Sequence, residues 1–117
     1  MWQRALSVSG GGGGTTIEGT AVLSASGGIV FDTDTVSSVK IKFTSRNSSG
    51  DTVRINVSNS AYSAVDLYHY GSCVKTYSSI MSDYVDLLAL SEVSGYKYIA
   101  LCSDRNGSNT IVDMQIS

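Results

Sequence analysis

The sequence predicts an all-β fold, an antiparallel sandwich or barrel made of one domain, and three observations carry that prediction. From Thr15 onward, short runs rich in Val, Ile, Thr and Tyr alternate apolar and polar residues with period two. Clusters of Gly, Asn, Asp and Ser interrupt these runs about every eight to twelve residues, the spacing of strands in sandwiches and barrels. No stretch repeats its apolar residues at helical intervals.

Strands are expected first over residues 16–25 and 28–32, then over 36–45. In the third, Val39, Ile41 and Phe43 share one face and Lys40, Lys42 and Thr44 the other, which is the pattern of a half-buried strand. Residues 51–58 repeat it, with Val53, Ile55 and Val57 alternating against Arg54 and Asn56. Further strands are expected over 64–70, 73–77 and 84–90, with a short helical turn open to 78–83 or 91–95. The strand over 96–103 is apolar on both faces through Cys102 apart from Lys97, so it reads as central, its second face covered or at an interface. Residues 110–116 close the chain with Val112, Met114 and Ile116 alternating against Asp113 and Gln115. The alternating segments fix the inward register, because a slip of one residue would bury their charges.

Turn chemistry supports the hairpins: residues 46–50 and 104–107 place Asn and Gly where a positive φ is expected. The chain has no proline, the usual guard of a sheet edge, which leaves Lys40, Lys42, bulges or subunit contacts to protect its edges.

Composition bounds the function. The chain has 117 residues, enough for one hydrophobic core and too few for two. Only 15% of residues are charged, against about a quarter in ordinary soluble domains, while 42% are hydrophobic. The surface is therefore polar and uncharged, which costs little to desolvate and suits subunit or sugar contacts. A net charge of −2 with eight scattered basic residues argues against nucleic acid as a partner, since phosphate binding needs clustered Lys and Arg. The N-terminal residues lack an apolar run of signal-peptide length and no stretch approaches a membrane span, so the expectation is a protein kept in the cytoplasm or leaving it by another route, with no membrane partner. Cys73 and Cys102 are then expected as buried free thiols, and with the lone His69 they form no zinc motif.

The organisation is an arm over residues 1–14 followed by the sandwich domain over 15–117. Gly10 to Gly14 form a flexible tether, and the head in front of them offers Trp2, Arg4 and Leu6 as docking residues. The glycine run is not a phosphate loop: no strand precedes it and no Lys-Ser/Thr pair follows.

Three motifs carry potential chemistry. Asp32-Thr33-Asp34 has the carboxylate spacing that opens calcium loops, but Val36 and Ser37 break the pattern, so a polar turn without metal is expected. His69 lies in an expected strand with no nucleophile elbow anywhere, although Asp66, Asp83 and Asp86 are open to convergence; the expectation is no catalysis and no cofactor. Tyrosine supplies seven aromatic side chains, each with an apolar face and a hydrogen-bonding tip. Tyr68 and Tyr70, on one face of the expected strand 64–70, are the candidate ligand platform, with sheet packing as the plain alternative. The acceptor tripeptides at Asn47, Asn56 and Asn106 read as accidental without a signal peptide.

The opening Met1-Trp2-Gln3-Arg4-Ala5-Leu6, followed by Ser7-Val8-Ser9 and the glycine run, resembles the N-termini of small structural proteins of tailed phages and prophages of Gram-positive gut bacteria. Tyr96 to Leu101 and Asp113 to Ile116 look like the closing strands of jelly-roll domains in such proteins. The resemblance implies a jelly-roll-like sandwich in a virion component, such as a head fibre, decoration protein or tail-tip module. It implies a homo-oligomer, often a trimer, that contacts copies of itself or other virion proteins, with cell-surface glycan as a further partner. Assembly in the host cytoplasm would also reconcile the missing signal with an outward-facing surface. A free-standing carbohydrate-binding module is the alternative.

Overall fold

Alternation of apolar and polar residues does place the strands. The structure, a computed structural model, describes residues 17–63, 66–106 and 110–117. The expected arm over residues 1–14, with Trp2, Arg4 and Leu6, lies outside the described residues. Among these residues the strands are β1 (Ile17–Leu23), β2 (Ile29–Asp32), β3 (Val39–Ser45), β4 (Val53–Ser58), β5 (Ser72–Tyr77), β6 (Val85–Asp86), β7 (Tyr98–Ser103) and β8 (Thr110–Ile116).

They form two four-stranded antiparallel sheets, in the orders β1-β8-β3-β6 and β2-β7-β4-β5. Every strand pairs with the one the same distance from the other end of the chain: β1 with β8, β2 with β7, β3 with β6 and β4 with β5. That is a long hairpin rolled into two sheets, the topology of a jelly roll. The inner faces meet in one core, with Phe31, Phe43, Ile41, Ile55, Ile99, Leu101 and Ile116 completely buried. The inward residues of β3, β4 and β8 are those expected from alternation.

β7 has the central place expected of it, hydrogen-bonded to β2 on one side and β4 on the other. Its outer face is covered by the chain itself. The connection between β4 and β5 folds back over the second sheet, and Leu67 and Tyr70 pack there on Val30, Ala100 and Cys102. Asn56, fully buried in β4, points at this overlay and its Nδ2 donates to Leu67 O at 2.8 Å. Strands β2 and β7 of the second sheet are therefore buried on both faces.

Several local expectations are corrected. Over 64–70, where a strand was expected, the described residues form a 3-10 turn, Leu67–His69, because the Asp66 carboxylate caps His69 N and the Leu67 carbonyl is taken by Asn56. The strand expected over 84–90 shrinks to Val85–Asp86 and continues as short 3-10 turns at Leu87–Ala89 and Ser91–Val93. Here the Asp86 carboxylate accepts from Leu88 N and from Val39 N, which ends the ladder. Positive φ occurs at Gly71 and Gly95, and at no non-glycine residue described, so Asn47 and Asn106 do not use it. Lys40 guards no edge, since it pairs with Asp86 of β6; Lys42 lies just beyond that two-residue ladder.

Candidate functional site

The aromatic platform expected at Tyr68 and Tyr70 is split by the 3-10 turn. Tyr70 is 5% exposed, and its hydroxyl donates to Ser60 O at 2.6 Å. Burial raises its pKa, and Tyr62 meets its ring edge-on at 5.4 Å. Tyr70 is therefore a packing residue. Tyr68 stays half-buried, with the Arg54 guanidinium 4.0 Å from its ring centroid and exposed His69 beside it. This cation–π contact occupies the ring with the chain's own side chain.

The titratable groups are largely engaged in holding connections. His69 Nδ1 lies 2.6 Å from Asp66 Oδ1, and that hydrogen bond lowers the Asp66 pKa. The pair caps one turn on the surface. At the end where β2 meets its following loop, Lys97 Nζ sits 3.0 Å from Asp32 Oδ1 and 2.8 Å from Asp34 Oδ2. The Asp34 backbone N–H, and then the Lys97 ammonium, hold Asp32 below its ordinary value, while the two carboxylates push Lys97 up. The side chain of Lys97 thus stands where the calcium-like spacing would have put a cation, in accord with a polar turn. No cluster of metal-ligating side chains occurs among the described residues.

At the opposite end, Asp51 is buried, and its Oδ2 accepts from Asn47 N at 3.2 Å and Ser48 N at 3.1 Å. Arg105 Nε approaches Oδ1 at 3.3 Å. Asn106 Oδ1 accepts from both the backbone N–H and the hydroxyl of Ser26, each at 2.9 Å. These bonds tie the β1–β2, β3–β4 and β7–β8 connections together. Asp83 and Asp86 do not join Asp66, since Asp86 is spent on backbone N–H groups of β3 and its own turn.

The cysteines are both free, as expected, but only Cys102 is buried; Cys73 is exposed on β5. Burial pushes the Cys102 thiol up to about 12, so it is neither reachable nor ionised at neutral pH. A thiol-specific reagent is expected to modify one cysteine rapidly in the native protein, and Cys73→Ser is expected to abolish that fast phase. Cys102 should react only after denaturation, which stopped-flow labelling with and without denaturant checks.

What remains open on the molecule is a sheet edge. Of the four edge strands, β6 has two residues and β2 has four, too short to template pairing. β5 is distorted by a bulge opposite Ile55 and Asn56 and carries Lys75. β1 has none of these guards. Its seven residues pair with β8 without a register shift, its sole charge is Glu18, and no described strand covers its other edge. The first half is exposed on both faces: Ile17 retains 38% exposure, and a Cβ placed on Gly19 would meet nothing within 4 Å. On the outer face Val22 is 58% exposed beside half-buried Ile111. Sequence reasoning missed this strand as a site because being at an edge depends on strand order. Compared with protein-family models, curated proteins and solved structures, the chain matches none.

Proposed function

We propose that this chain is a non-catalytic structural subunit of a phage or prophage particle, a head-fibre, decoration or tail-tip module that acts by assembling with copies of itself or with other virion proteins. The observation that carries the reading is the unguarded edge of β1, seven residues with one charge, on a jelly roll whose other edges are short or bulged. Ser, Thr and Tyr in place of Lys and Glu on the surface lower the cost of removing water from a subunit contact. The residues that resemble a phage N-terminus come shortly before this strand in the sequence. The particle is assembled in the host cytoplasm in this reading.

The test is the molar mass of the full chain in solution, by size-exclusion chromatography with light scattering over a range of concentrations. A defined homo-oligomer supports assembly. A monomer at every concentration overturns assembly with copies of itself and favours the second reading, a free-standing carbohydrate-binding module. That reading rests on Tyr68, which keeps part of its ring exposed next to Arg54 and His69. Glycan-array binding abolished by Tyr68→Ala would then establish it.

A further inference from the structure

We infer that β1 is a two-fold interface: two copies of this chain pair their β1 strands antiparallel, centred on Thr20, to join the two β1-β8-β3-β6 sheets into one continuous sheet. The inference rests on the assembling reading and adds the partner, the element and the register. Full overlap of two seven-residue strands puts Thr20 opposite Thr20 of the second copy, Glu18 opposite Val22, Gly19 opposite Ala21, and Ile17 opposite Leu23.

Three features fit this register. Glu18, the sole charge of β1, falls near each end of the paired ribbon, so the two carboxylates are kept apart. Each accepts a hydrogen bond at 3.0 Å from Gln115 of its own sheet and lays its aliphatic stem against the exposed Val22 of the other copy. On the inner face the facing residues at the middle are small, Gly19 against Ala21, which lets the two sandwiches approach. The backbone N–H and C=O groups along the open edge gain partners that no other described strand supplies in the single chain. A two-fold contact of this kind is self-complementary and closes at two chains, so it gives no open filament through β1.

The experiment uses the full chain and two single substitutions at an exposed site. Thr20 pairs with Asp113 of β8 on the outer face, so Thr20→Lys places an opposite charge next to that aspartate within the subunit. Across the two-fold it places two ammonium groups in contact. The parent should have twice the chain mass, and Thr20→Lys should raise the dimer dissociation constant tenfold or more with the melting profile of the monomer retained. In a Cys73→Ser background, Thr20→Cys should give a disulfide-linked dimer under mild oxidation, since directly opposed strand residues bring the Cβ atoms within reach. A parental mass that Thr20→Lys leaves unchanged, with no Thr20→Cys crosslink, overturns the β1 interface and leaves the assembling reading standing. A trimeric parent does the same. A monomeric parent overturns both the β1 interface and assembly with copies of this chain.

Discussion

Asn56→Asp is expected to destabilise the domain by about 3–5 kcal/mol at neutral pH, the range for a buried charge left without a partner. Asn56 is completely buried, and its amide donates to the carbonyls of Leu67 at 2.8 Å and Tyr68 at 3.3 Å. A carboxylate in that place turns two acceptors against a third and cannot reach water. The penalty should shrink on acidification, and its sign follows from linkage. Burial beside carbonyl oxygens raises the folded-state pKa of the introduced Asp above its unfolded value near 3.9. The native state of the variant then binds the extra proton, so the loss grows as pH rises from about 4 through the folded pKa and is smallest below it. Asn56→Ala, which takes the amide donor away from the Leu67 and Tyr68 carbonyls but adds no charge, should cost about 1–3 kcal/mol with no such pH dependence. Urea titrations of the three proteins at two pH values separate these outcomes, and equal losses at both pH values would falsify the charge argument.

Gly71→Ala is expected to cost roughly 3–5 kcal/mol, combining left-handed strain with overpacking. Gly71 has φ of +64° and closes the β4–β5 connection just before β5. A Cβ there would lie 2.1 Å from Val57 O and 2.8 Å from Val57 C, both backbone atoms of a paired strand. Neither side can yield easily, because Val57 pairs with Ser72 in the ladder and Tyr70 is fixed by its hydroxyl to Ser60 O. Gly95 provides the control. Its φ is +91°, but an added Cβ meets nothing within 4 Å, so Gly95→Ala should lose about 1–2 kcal/mol from the backbone alone. Thermal unfolding of both variants measures the difference, and equal shifts would show that the contact with Val57 relaxes.

Both substitutions act on one feature, the overlay that covers the second sheet. Its consequence for function is local exclusion: Val30, Ala100 and Cys102 lie under Leu67 and Tyr70 and are not open to a partner.

The second face of β7 illustrates how far patterning reaches. Ala100 and Cys102 announce in sequence that something covers them, because a residue run apolar on both faces cannot meet water on either. What covers them is written in Leu67 and Tyr70, separated from β7 by thirty residues or so, and period-two alternation through Leu67-Tyr68-His69-Tyr70 reads equally as a strand. Asn56 was the available signal: an amide at an interior strand position has to find a buried partner outside the ladder.

By itself the sequence determined the fold class, the inward register of β3, β4 and β8, the central place of β7 and the polar turn at Asp32-Thr33-Asp34. Each follows from neighbours along the chain: alternation with period two, local turn chemistry, and the cost of burying a charge. Tertiary structure alone decided which strands stand at edges, that Tyr70 packs inward while Tyr68 is held by Arg54, that Cys73 is exposed, and that Lys97 bridges two aspartates. These depend on strand order and on contacts between residues far apart in the chain. Local preference is nearly degenerate there, and long-range burial and hydrogen bonding choose among the alternatives.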